Sequence, residues 1–132
     1  MKYLCLIYED ESRFATTPKP EMDKIMSEYG AFGESIRKSG NHVAGYQLQT
    51  TDSATTVRSR NGKVSTTDGP FAETKEQLGG FFLVEAKDLN EAVQIASRIP
   101  SVRFGSIEVR PIVERAQTKP QPADALAASG AA

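Results

Sequence analysis

The sequence predicts an α+β domain on the split β-α-β plan, with an extra β-hairpin inserted before its second helix. Three observations carry this. Short apolar runs rich in β-favouring residues occur at Lys2–Tyr8, Val43–Leu48, Phe81–Ala86 and Ser106–Ile112. Two stretches with apolar residues every three or four positions fall between the first and second run and between the third and fourth. Asn61-Gly62 separates two alternating segments, which is the strongest short hairpin signal.

Lys2–Tyr8 is apolar almost throughout and reads as a central strand covered on both faces. Charges at Glu9–Glu11 end it, and Phe14–Lys19 reads as a loop, kept extended by Pro18 and Pro20, that can fold over a cleft at the strand's end. A helix starts at Pro20, where proline suits the first turn and Glu21 and Asp23 suit the positive end of the helix dipole. Met22, Ile25, Met26, Tyr29, Phe32, Gly33 and Ile36 form its apolar stripe, with the two methionines as core filler. Arg37 and Lys38 occupy the last turn, and Gly40 is the C-terminal cap. Gly30 and Gly33 each weaken the helix by up to about 1 kcal/mol relative to alanine, which suggests close packing against a neighbour.

In the second strand, Val43–Leu48, Gly45 marks a bulge or a close backbone approach. Gln49–Ala54 is a polar loop. A type I′ turn at Asn61-Gly62 sets Arg60 opposite Lys63, Arg58 opposite Ser65 and Val57 opposite Thr66. That hairpin is polar at most positions and belongs at an edge or over a cleft mouth, outside the core. Asp88 caps the second helix with Glu91 three residues on, Leu89, Ala92, Val93, Ala96 and Ile99 are its buried stripe, and Pro100 stops it. One face of the sheet carries the helices. The other, holding Tyr3 or Leu4 and one of Phe81 and Phe82, is left bare and needs a cover, for which two-fold self-association is the economical answer.

Composition narrows the function classes. A formal net charge of −1 with no large basic run gives no electrostatic support for nucleic-acid binding. No apolar run reaches the roughly 18 residues of a membrane span, and the N-terminus lacks the order of a signal peptide, so a cytoplasmic location is expected. With one cysteine, Cys5, and one histidine, His42, an internal disulfide is impossible and a Cys/His zinc site has too few ligands. Cys5, in the middle of an apolar strand, reads as a buried inert thiol.

Residues Thr67–Gly80 concentrate turn formers, charges and an aromatic. Asp68-Gly69-Pro70 is a turn, or a short helical turn with Asp68 as its cap, that frees Phe71 to plug an apolar pocket. Glu73, Lys75 and Glu76 then project beside one another, with Arg58 across the hairpin, and such a cluster can bind a polar ligand. Gly79-Gly80 lets a neighbour or ligand approach the backbone closely. The same residues also fit a capped turn with a packed phenylalanine and solvated charges.

The run Asp68-Gly69-Pro70-Phe71-Ala72-Glu73-Thr74-Lys75-Glu76 resembles the signature of the DGPF branch of the YCII-related family. The likeness continues through Leu78–Glu85 and Ile107–Ile112, includes Met1–Tyr8, and covers about residues 1–113, leaving 114–132 as a flexible Ala/Pro-rich tail or, over Ala123–Ala128, a short helix. It implies a ferredoxin-like domain that dimerises sheet to sheet, of the dimeric α+β-barrel type, with a small-molecule site in the dimer cleft. That architecture is similar to small monooxygenases and isomerases that need no metal or prosthetic group, so no cofactor is expected. On that reading Asp68 is the acid/base candidate with His42 assisting, and Tyr8, Arg58, Gly69, Pro70, Phe71, Glu73, Lys75, Gly79 and Gly80 surround the ligand. The wider family carries a His and an Asp proposed as a catalytic pair, the His near the start of the first helix. Glu21-Met22-Asp23-Lys24 holds none, so the pair does not carry over. The alternative is a non-catalytic sensing or partner-binding module in the sigma-factor-linked regulatory or stress context that the resemblance suggests, or an interaction role in which phenylalanines fill the cavity.

Overall fold

A computed structural model describes residues 1–115, so the tail reading for 116–132 lies outside the described residues. The element order is β1 (Lys2–Glu9), α1 (Arg13–Thr16), α2 (Lys19–Lys38), β2 (His42–Gln47), β3 (Thr55–Arg60), β4 (Lys63–Asp68), β5 (Gln77–Glu85), α3 (Leu89–Ala96) and β6 (Ser106–Pro111). Short 3₁₀ turns at Thr51–Ser53 and Pro100–Arg103 complete it. Four strands form an antiparallel sheet in the order β2-β5-β1-β6, the ferredoxin-like arrangement, and β3-β4 stands apart as a two-stranded hairpin.

Local chemistry explains each boundary. Helix α2 ends in a Schellman motif: Gly40 takes φ +79°, its N–H bonds the carbonyl of Arg37 at 3.1 Å, and the Asn41 N–H bonds that of Ile36 at 2.9 Å. Asp88 caps α3, accepting from the Glu91 N–H at 2.9 Å, while the Glu91 carboxylate reaches back to the Lys87 N–H at 3.1 Å. In the hairpin, Asn61 (φ 54°) and Gly62 (φ 76°) both take the positive φ that a type I′ turn demands, and the expected pairing holds from Arg60↔Lys63 to Val57↔Thr66.

Strand alternation sorts the sheet into two faces. Tyr3, Cys5 and Ile7 of β1 and Val84 of β5 are buried against Phe32 and Ile36 of α2 and Ala92, Ile95 and Ala96 of α3, with Ile99 beyond. Phe82 belongs to this face and meets Phe32 edge-on at 5.0 Å. Cys5 is fully buried, and burial pushes its thiol up to about 11, as an inert core residue requires. The opposite face carries cross-strand rows Ala44–Leu83–Leu4–Arg110 and Tyr46–Phe81–Leu6–Glu108, ending in an Arg110–Glu108 ion pair. The bare face thus takes Leu4 and Phe81, and the helix-covered face Tyr3 and Phe82.

Several expectations are corrected, among them the α3 stripe, where Leu89 and Val93 are exposed and Ala92, Ile95 and Ala96 are buried. The segment after β1 is not wholly a loop, because Arg13–Thr16 closes one helical turn with the Thr17 N–H on the Arg13 carbonyl. Strand β5 begins at Gln77, four residues before the apolar run, so Gly79 and Gly80 lie inside it. A Cβ on Gly80 would sit 2.7 Å from the Tyr46 carbonyl oxygen, so glycine is what lets β2 come this close. Of the two glycines of α2, Gly30 marks no close packing, since a Cβ there would meet nothing within 4 Å, whereas Gly33 is buried and a Cβ there would meet the Arg37 side chain at 3.3 Å. Asp68 closes β4 instead of capping a helical turn.

Candidate functional site

A cavity of about 240 Å³ opens between the first half of α2 and the end of the sheet where β1 finishes. Its origin is legible in the side chains that are missing. Gly45 of β2 and Gly79 and Gly80 of β5 give the floor no bulk there, while Met22, Ile25, Met26 and Tyr29 of α2 form the roof. Ile7, Phe82 and Phe104 line it from the sheet side, and Arg13, Phe14 and Thr17 of the turn after β1 close one end. The expectation that this segment folds over a cleft is met, although the segment is partly helical. The two methionines wall a cavity instead of filling the core, and Met26 is half exposed.

The rim is held by a carboxylate. Glu11 accepts from both the N–H and the hydroxyl of Thr51, at 2.8 and 2.7 Å, and its own N–H bonds the Gln77 side-chain oxygen at 2.9 Å. The end of β1, the 3₁₀ turn at Thr51–Ser53 and the start of β5 are thereby tied together. Arg13 lays its guanidinium 3.9 Å over the ring of Phe104 and, among the described residues, has no carboxylate within ion-pair distance.

The polar wall is a chain of three side chains from three elements. Glu9, at the end of β1 in phase with Tyr3, Cys5 and Ile7, reaches the hydroxyl of Ser101, which in turn meets the phenol of Tyr29. Ser101 is 0% exposed and is the one buried polar residue among those described. Burial is the main influence on Tyr29 and pushes its phenol upward. A bidentate pair, Arg103 to Glu28 at 3.1 and 2.7 Å, ties the Pro100–Arg103 turn to α2 and so holds Ser101 beneath Tyr29. Arg103 keeps the Glu28 carboxyl below its ordinary range through that hydrogen bond.

The residues expected at a site are distributed otherwise. Only Gly79 and Gly80 line the cavity. Asp68 is exposed, Gly69 takes φ +100° with its N–H on the Ala54 carbonyl at 2.7 Å, and the Thr56 hydroxyl donates to the Gly69 carbonyl at 2.8 Å. Arg58 does lie across the hairpin, donating to the Phe71 carbonyl at 3.3 Å. Pro70, Glu73 and Lys75 are exposed, and Phe71, 79% exposed, plugs no pocket among the described residues. His42 pairs with Val84 toward the far end of β2, and Tyr8 points to the bare face between Leu78 and Ser106. Glu9, Tyr29 and Ser101 escaped the sequence reading. The phase of Glu9 with the buried residues of β1 and the place of Tyr29 in the α2 stripe are signals for two of them, and nothing marks Ser101.

Fold and cavity together define a small ferredoxin-like α+β protein with a compact, largely apolar pocket inside the single chain. The chain belongs to the YCII-related domain family, whose sequence model matches residues 1–116. It is 37% identical over 114 residues to an uncharacterised protein of Rhizobium meliloti (strain 1021), an alignment covering 85% of this chain and 92% of that protein. Among the described residues no helix is long and apolar enough to cross a membrane.

Proposed function

We propose that this protein binds a small, mostly apolar molecule in the cavity between α2 and the sheet. One observation carries the reading: an apolar chamber of about 240 Å³ receives a few convergent polar groups, Glu9, Tyr29 and Arg13, from three elements. That combination is the usual composition of a ligand site, and the volume lies just below the roughly 300–1,000 Å³ of pockets for drug-sized molecules. Binding serves a cofactor-independent enzyme and a sensing module equally, and the proposal is made at the level they share. This places the ligand inside one chain instead of in a cleft between two. The bare face, with Leu4, Leu6, Phe81 and Leu83 beside a 69% exposed Tyr46, supports a second copy of the chain as its cover.

A thermal-shift screen against small aromatic and aliphatic metabolites tests the reading, run on the wild type, Asp68→Asn and Met22→Trp. A ligand at a hundred times its Kd adds about 2.7 kcal/mol, which is several degrees for a domain of this size. The shift should persist in Asp68→Asn, whose site lies outside the cavity, and vanish in Met22→Trp, which puts a larger side chain in the cavity roof. A shift lost in Asp68→Asn and kept in Met22→Trp would return the site to the Thr67–Gly80 stretch.

A further inference from the structure

The hydrogens of the Glu9–Ser101–Tyr29 chain can be placed by counting. A glutamate carboxylate brings no hydrogen and only accepts. Ser101 has one hydroxyl hydrogen, and its contact with Glu9 Oε1 commits that hydrogen to the carboxylate. Ser101 must then accept from Tyr29, which commits the phenolic hydrogen as well. What Glu9 and Tyr29 have left, as residues lining the cavity, are lone pairs: the second carboxylate oxygen and the unshared pairs of the phenol oxygen. Glu9 Oε2 accepts no hydrogen bond and faces no cation within ion-pair distance among the described residues.

From this we infer that the cavity selects a small apolar molecule bearing a hydrogen-bond donor, a hydroxyl for preference, whose hydrogen goes to Glu9. The inference rests on the reading of the cavity as a ligand site and adds the polarity of that ligand. Glu9 is half-buried and its second oxygen is left open to the cavity, so a ligand hydroxyl can donate to it, whereas an anionic ligand would meet a carboxylate. Arg13 is the competing anchor, since a free guanidinium favours an anion. Two features weigh against it: its guanidinium is already placed on the Phe104 ring, and Glu9 shares the chamber.

The test titrates isotopically labelled full-length protein with p-cresol, toluene and benzoate, reading amide shifts. The first two differ by the hydroxyl, and the third replaces it with an anion. Expected is p-cresol at least about tenfold tighter than toluene, as a hydrogen bond to a charged acceptor gives, with benzoate weaker than p-cresol. In Glu9→Gln the side-chain amide can turn an N–H toward the cavity, and the p-cresol preference should collapse while toluene affinity stays. Glu9→Asp draws the carboxylate back by one methylene and should reduce the preference in part, which keeps a mutational check if Glu9→Gln does not fold. Toluene binding as tightly as p-cresol, benzoate binding tightest, or a preference unchanged in both variants would overturn the inference while leaving the cavity as a ligand site. No binding of any of the three would remove the cavity reading and the inference with it.

Discussion

Two glycine substitutions measure how tightly the sheet is drawn beneath the cavity. A Cβ on Gly80 would lie 2.7 Å from the Tyr46 carbonyl oxygen, 3.3 Å from Gln47 Cα and 3.6 Å from the Tyr46 carbonyl carbon, all backbone of β2. None of these atoms can rotate aside, so Gly80→Ala must push β2 away from β5 until the closest contact opens toward the 3.4 Å of ordinary packing. Overpacking of this kind costs about 1–3 kcal/mol, which lowers Tm by roughly 4–12 °C for a domain between the small and large size classes. Gly30→Ala is the matched control. Its Cβ would meet nothing within 4 Å and its φ is ordinary for a helix. Removing the excess freedom of glycine there should stabilise by about 0.5–1 kcal/mol, or roughly 2–5 °C. Thermal unfolding by circular dichroism reads both. A neutral Gly80→Ala would refute the close approach of β2. A destabilising Gly30→Ala would mean that something packs on that face of α2.

Three further outcomes follow from the same geometry. Burial raises the Cys5 thiol from 9.0 to about 11, so folding favours the protonated form. Stability from this group is therefore complete below about pH 9 and is lost as pH rises toward 11, by about 2–3 kcal/mol at most; denaturant titrations between pH 8 and 11 should show a steeper alkaline loss for the wild type than for Cys5→Ala. Asp88→Ala removes the acceptor of the Glu91 N–H at the start of α3 and should cost about 1 kcal/mol, read as a lower midpoint in urea with unchanged slope. Leu6→Lys puts a charge in the centre of the bare face between Phe81 and Glu108, and should convert a dimer to a monomer in sedimentation equilibrium; a wild type that sediments as a monomer would dispose of the self-association proposal.

Much of the fold could be read locally because its signals are local. The type I′ turn at Asn61-Gly62, the Gly40 cap, the Asp88–Glu91 cap and the α2 stripe each depend on a few neighbouring residues whose chemistry admits one conformation. The start of β5 was hidden because Gly79 and Gly80 have no strand preference, and it is pairing with β1 and β2 that makes this stretch strand. The cavity was half legible. Gly45 and Gly79-Gly80 read as places of close backbone approach, but the empty volume arises only when α2 lies over them, which is a tertiary fact. The Thr67–Gly80 stretch drew attention through its density of turn formers and charges, yet its hydrogen bonds are those of a connection: Gly69 to Ala54, Thr56 to Gly69, Gln77 to Thr74. Ser101 needed the structure outright, because a serine after Pro100 gains meaning only from the Glu9 and Tyr29 that meet it.

The most direct test of where ligand goes is a map of backbone amide shifts on adding p-cresol. If the site is the chamber between α2 and the sheet, the largest changes fall on the amides of Gly45, Gly79 and Gly80 and of Tyr29, with Gly62 and Gly69 silent. Changes concentrated at Gly69 and the residues through Glu76, with the cavity glycines unmoved, would contradict the account and put the site on the connection between β4 and β5.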